Sequence, residues 1–155
     1  MIRLFLLLLA GVLLSSFALA AEPRLPETDD RCPVCGMFVK PFEQWIATLR
    51  FVDGQQLFFD GPKDLLRYYF ALPATSVAKK PARDGVKDLW VTDYYTSRLL
   101  PVAEVWFISG SDVYGPMGPE LVPVAGKKTA ESFASDHGGK KISAFADLTS
   151  ADLPD

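Results

Sequence analysis

Two stretches of this chain run through the same order of elements: strand, turn, strand, helix, strand. That repetition limits the folds open to it more than any other feature. In the first stretch, residues 45–52 alternate apolar and polar and read as a strand. Asp53-Gly54 signals a hairpin turn, and residues 56–59 read as a short second strand. Asp60-Gly61-Pro62 opens a helix, with Asp60 as N-cap candidate and the proline in the first turn. Leu65, Leu66, Tyr69 and Phe70 give that helix a 3,4-spaced apolar face. Residues 73–87, rich in Pro, Lys and Ala, read as a loop, and 88–96 as a strand. The second stretch repeats the order: a strand at 104–109, a Gly-rich loop at 110–119, and a strand at 120–124. A helix at 127–136 stops at His137-Gly138-Gly139, and a last strand spans 141–145. A unit of about 60 residues has little core of its own, so the two are expected to share one sheet or to pack tightly together. The expected fold class is α+β: two similar ββαβ units packed together, over 32–97 and 98–150, preceded by a flexible leader.

The first 20 residues are set apart from this fold. Arg3 is followed by an unbroken apolar run at 4–14, and Ala18-Leu19-Ala20 makes a small-X-small cleavage site. The run is shorter than a membrane-spanning helix requires. No cysteine stands near the site, which excludes a lipid anchor on a cysteine. The expectation is export to the periplasm with cleavage after Ala20. Residues 21–31 are Pro- and acid-rich and read as the flexible leader. Losing the signal removes Arg3 and no acid, so 15 basic residues face 19 acidic ones, for a net charge of about −4. Nucleic-acid binding needs a basic face and is excluded on that ground.

Cys32-Pro33-Val34-Cys35-Gly36-Met37 contains both cysteines of the chain. Three readings of the pair stand side by side: a metal site, a redox pair, or a disulfide of an exported protein. A bridge closing so short a loop removes little chain entropy. A thioredoxin-like pair is preceded by a strand and opens a helix, whereas here an acidic leader precedes it and Gly36 follows. The Cys-Pro-X-Cys-Gly run is also half of a zinc ribbon, but the chain has no second cysteine pair to complete four ligands. Met37 lies two residues beyond Cys35, so in an extended segment both side chains face the same way. Thiolate and thioether together suit Cu(I) better than Zn(II). Met117, in Gly115-Pro116-Met117-Gly118-Pro119, is displayed where neither helix nor central strand can form. It reads as a ligand, a partner contact or a cover for a neighbouring site.

Little else carries chemistry. His137 reads as a helix C-terminal cap. Asp60, Asp64, Asp93 and Asp112 read as turn or cap residues. No catalytic triad can be assembled, and the 110–118 loop lacks the Lys-Ser/Thr of a phosphate-binding loop. The chain therefore reads as no enzyme, with no small-molecule substrate.

Four motifs in order, Cys35-Gly36-Met37, Phe59-Asp60-Gly61-Pro62-Lys63-Asp64, Val91-Thr92-Asp93-Tyr94-Tyr95 and the 110–120 segment, make the chain resemble the NosL family. These are accessory proteins for maturation of the copper enzyme nitrous oxide reductase. The resemblance runs from about residue 30 to 148 and implies a Cu(I)-binding metallochaperone of two ββαβ units. It implies Cys35, Met37 and Met117 as the copper site, with Cys32 as an additional thiol, either a further ligand or a redox partner. It also implies a copper-receiving partner in nitrous oxide reductase maturation, of which a membrane ABC-type NosDFY complex is one candidate. Many members carry a lipid-anchor cysteine that this chain lacks. The alternatives are a thiol-disulfide oxidoreductase using Cys32 and Cys35, or a module with structural zinc.

Overall fold

The computed structural model describes residues 22–77 and 80–155. The expected signal segment lies outside the described residues. Strands β1 (Ala47–Phe51) and β2 (Gln56–Phe59), helix α1 (Pro62–Ala71), and strands β3 (Val86–Thr92) and β4 (Leu99–Pro101) form the first part. They make an antiparallel sheet in the order β2-β1-β3-β4. In the second part, β5 (Val105–Ser109), β8 (Val122–Ala125) and β9 (Lys141–Ala144) pair in the order β8-β5-β9, with α2 (Lys127–Asp136) between β8 and β9. A short hairpin, β6 (Tyr114–Gly115) with β7 (Gly118–Pro119), interrupts this part. Sheets and helices together make a mixed α and β fold. No helix among the described residues is long and apolar enough to cross a membrane.

Burial explains the arrangement. One core takes in Leu49, Phe59, Leu65, Leu66 and Val91 from the first part together with Val105, Phe107 and Leu121 from the second. Strand side chains alternate faces, so in β5 Phe107 enters this shared core while Ile108 turns to a second cluster with Val122, Val124, Ala130 and Phe133 under α2. Neither sheet buries its apolar residues alone, as the size of each part requires.

Several local expectations change. The first strand begins at Ala47, because Trp45 leaves the ladder to pack at the second cluster beside Tyr94. β3 ends at Thr92, where Asp93 turns the chain by accepting the amide and hydroxyl of Thr96. The Gly-rich loop contains the β6–β7 hairpin, with Pro116-Met117 as its two-residue turn. β4, beyond residue 97, pairs with β3 in the first sheet. Residues 22–31, read as a flexible leader, lie along that sheet: Arg24 covers the Phe58 ring at 4.4 Å, and its carbonyl accepts from Gln56. Asp60 does not cap α1. Gly61 occupies the N-cap position, and the Asp60 side chain turns toward Cys35. His137 closes α2, its N–H bonded to the Phe133 carbonyl, its ring stacked on Phe133 and its Nδ1 2.9 Å from Asp112.

Candidate metal centre

The Cys-X-X-Cys run is folded into a knuckle by its own backbone. The Val39 amide donates to the Asp30 carbonyl and Arg31 bridges to Phe38, so the chain returns alongside itself. At the tip the Cys32 amide donates to the Met37 carbonyl and the Gly36 amide to the Cys32 carbonyl, both at 2.9 Å. Gly36 holds φ of 79°, a left-handed conformation that costs a residue with a Cβ but not glycine. Arg31 fastens the turn from outside, stacked 3.6 Å over the Phe38 ring and donating to the Gly36 carbonyl. The motif therefore sits in a loop, without the helix N-terminus that activates redox cysteine pairs.

The facing wall comes from the end of β2 and the first turn of α1. Asp60 and Asp64, four residues apart, straddle the helix start and point to the same side. The Cys35 thiol donates to Asp60 Oδ1 at 3.2 Å, and the Cys32 thiol donates to Asp64 Oδ2 at 3.4 Å. One donor atom from each of Cys32, Cys35, Asp60 and Asp64 lies within 4.8 Å of every other. Asp60 is 1% exposed and Asp64 3% exposed. The second oxygen of Asp60 has no hydrogen-bond partner among the described residues, although a buried carboxylate oxygen ordinarily finds one. The exposed Arg67 reaches Asp64 at 3.3 Å.

The electrostatics follow from this crowding. Burial pushes the Cys32 thiol far above its ordinary range, and the Asp60 carboxylate adds to the rise. Burial raises Cys35 too; Asp60 adds, while the Met37 amide opposes. Both thiols are free. A redox nucleophile is favoured by a lowered thiol pKa, whereas burial raises both thiols here. A cation reverses the balance, because metal charge favours thiolate and carboxylate together.

Among the residues singled out in the sequence, Cys32 and Cys35 meet directly. Met37 is half-buried and belongs to the same knuckle through its carbonyl bond to Cys32. Met117 stands at the tip of the β6–β7 turn, 45% exposed. Its carbonyl accepts from Lys63 Nζ at 3.1 Å, which ties the hairpin to the helix turn carrying Asp64. Asp60 and Asp64, which read in the sequence as turn or cap residues, are functional candidates in the structure. Their signal was the four-residue spacing across Gly61-Pro62.

A family model described as NosL matches residues 23–153. No curated protein matches the chain. Among solved structures, the fold is similar to the crystal structure of the copper chaperone NosL from Shewanella denitrificans, with a TM-score of 0.70 and 23% identity over 84% of this chain and 97% of the other. The solution structure of the apo-NosL protein from Achromobacter cycloclastes aligns with a TM-score of 0.48 and 22% identity, over 69% of this chain and 87% of that one. The match covers the knuckle, both sheets and the methionine hairpin in one span. The chain belongs to the NosL family.

Proposed function

We propose that this protein is a Cu(I) carrier, holding one ion at Cys35, Cys32, Met37 and Met117 and passing it on by ligand exchange. The observation that carries this reading is the convergence of both thiols on one buried, cation-seeking point, with a methionine hairpin fastened to the adjoining helix turn. Soft sulfur donors select Cu(I) over harder ions. The thiolates would supply charge, and the neutral thioethers would bind weakly enough to be displaced by an incoming ligand. That the similar Shewanella denitrificans protein is a copper chaperone supports the same cargo. The ion is cargo, and the protein acts as a carrier rather than an enzyme. We place it in the periplasm after cleavage following Ala20, delivering copper to a nitrous oxide reductase maturation system, with a membrane ABC-type complex as receiver. We also read the two strand-helix stretches as copies of one ββαβ unit, since each has its first strand at the centre of its sheet.

A second reading rests on Asp60 and Asp64. Two thiolates and two carboxylates form a set that Zn(II) accepts in tetrahedral geometry, and both S···O distances are short enough to close around one ion. Anaerobic Cu(I) titration against a competing chelator, repeated with Zn(II), separates the two. Copper binding of one equivalent per chain, retained in the presence of zinc, supports the carrier. Preferential zinc binding overturns it.

A further inference from the structure

α1 begins at a residue unable to cap it. Gly61 at the N-cap has no side chain and Pro62 has no N–H, so the Lys63 amide is the first helical donor that needs an acceptor. That acceptor comes from the other half of the chain. Glu120 Oε1 accepts the Lys63 amide at 2.7 Å and the Leu121 amide at 2.9 Å. The carboxyl is buried, and its other oxygen fits between two glycines. A Cβ at Gly115 would lie 2.8 Å from Oε2, and one at Gly61 would overlap it. A side chain at either glycine, one at the helix start and one in β6, would push the carboxyl from this seat.

Lys63 completes the joint. It is only 2% exposed, and its Nζ donates to the Met117 carbonyl at 3.1 Å and the Asp155 carbonyl at 3.2 Å. A buried ammonium needs such partners to offset its lost hydration. The hairpin is thus held at its base by Glu120 and at its tip by Lys63, both acting on the helix turn that presents Asp64 to the thiols.

We propose that Glu120 and Lys63 are positioning residues that clamp the Met117 hairpin to the first turn of α1, setting Met117 against the metal centre. This rests on the reading of Met117 as a ligand, and the experiment keeps the two apart. Backbone 15N relaxation of the metal-free protein reads the clamp alone. In Glu120→Ala and in Lys63→Leu, heteronuclear NOEs at Gly115, Met117 and Gly118 should fall while those of β1 and β5 stay unchanged. Unchanged hairpin values in both variants overturn the clamp. Lys63→Leu leaves the Glu120 cap intact, so it decides the matter if Glu120→Ala does not fold.

Cu(I) affinity then reads the consequence. Each variant should bind at least tenfold more weakly, as the loss of outer supports of metal ligands commonly does, and no more weakly still when combined with Met117→Ala. Additive losses in the double variants overturn positioning through Met117. A loosened hairpin with full Cu(I) affinity in Met117→Ala sustains the clamp and removes Met117 from the ligand set.

Discussion

The Cys35 thiol donates to Asp60 at 3.2 Å, joining the turn of a surface knuckle to the residue just before the cap of α1. With the Cys32–Asp64 bond beside it, this contact makes a pair of adjacent thiols into a four-donor centre. The same relationship separates soft from borderline metals by experiment.

Asp64→Asn should weaken Zn(II) binding by at least tenfold while changing Cu(I) binding less, because carboxylate oxygen suits zinc and adds little to a soft ion. Competitive titration with both metals on the same variant checks it. Equal losses for the two metals would make Asp64 a ligand to either.

The two cysteines should differ in what they cost. Cys35→Ser should impair Cu(I) binding the more severely, since Cys35 is the half-exposed thiol beside Gly36-Met37. Cys32 is 1% exposed and packed in the shared core, so Cys32→Ser should also lower apo stability, by about 1–2 kcal/mol. Urea melts and chelator competition on both variants separate the effects. A Cys32–Cys35 disulfide should abolish binding, since the ligand form is thiolate.

Met117→Ala should leave apo stability within about 0.5 kcal/mol, as expected for a surface side chain outside the core; it is 45% exposed. Cu(I) affinity should fall. A buried packing residue would instead cost roughly 2–5 kcal/mol on truncation, so a melting curve of the apo variant decides between ligand and packing roles.

Stability should depend on pH through Glu120. Burial pushes its carboxyl up to about 8 from an ordinary 4.5, with Asp64 adding to the rise and the Leu121 and Lys63 amides and the Lys63 charge opposing it. A folded pKa raised above the unfolded value gives stability that is complete below pH 4.5 and lost as pH rises toward 8. The slope from this group is at most about 1.4 kcal/mol per pH unit. Urea unfolding of the apo protein across that window should show the decline, and Glu120→Gln should flatten it. An identical slope in both proteins would assign the pH dependence to other groups.

Much of the secondary structure was legible because it is written in local pattern. β2 and α2 occupy the residues that alternation, helical spacing and the His137-Gly138-Gly139 stop indicate. The sulfur residues stand out in the sequence as well, although two cysteines and a methionine within six residues fit a metal site, a redox pair or a disulfide equally until the facing residues are known. Element ends were less legible. Trp45 and Glu120 continue strand-like patterns, yet one leaves the ladder for the second apolar cluster and the other for the cap of α1.

The alternation of strands and helices, and a methionine displayed on a Gly-Pro turn, can be read from the chain's own pattern. These depend on neighbours in the chain, whose sterics and spacing are local. That Asp60 faces a thiol instead of capping a helix, that Asp64 joins the same donor cluster, and that Glu120 caps a helix 57 residues away all depend on long-range contacts. An aspartate before Gly-Pro satisfies a local cap rule equally well in either role. The choice depends on what is buried opposite it, and that surface is assembled only when the knuckle and the hairpin close over the start of α1.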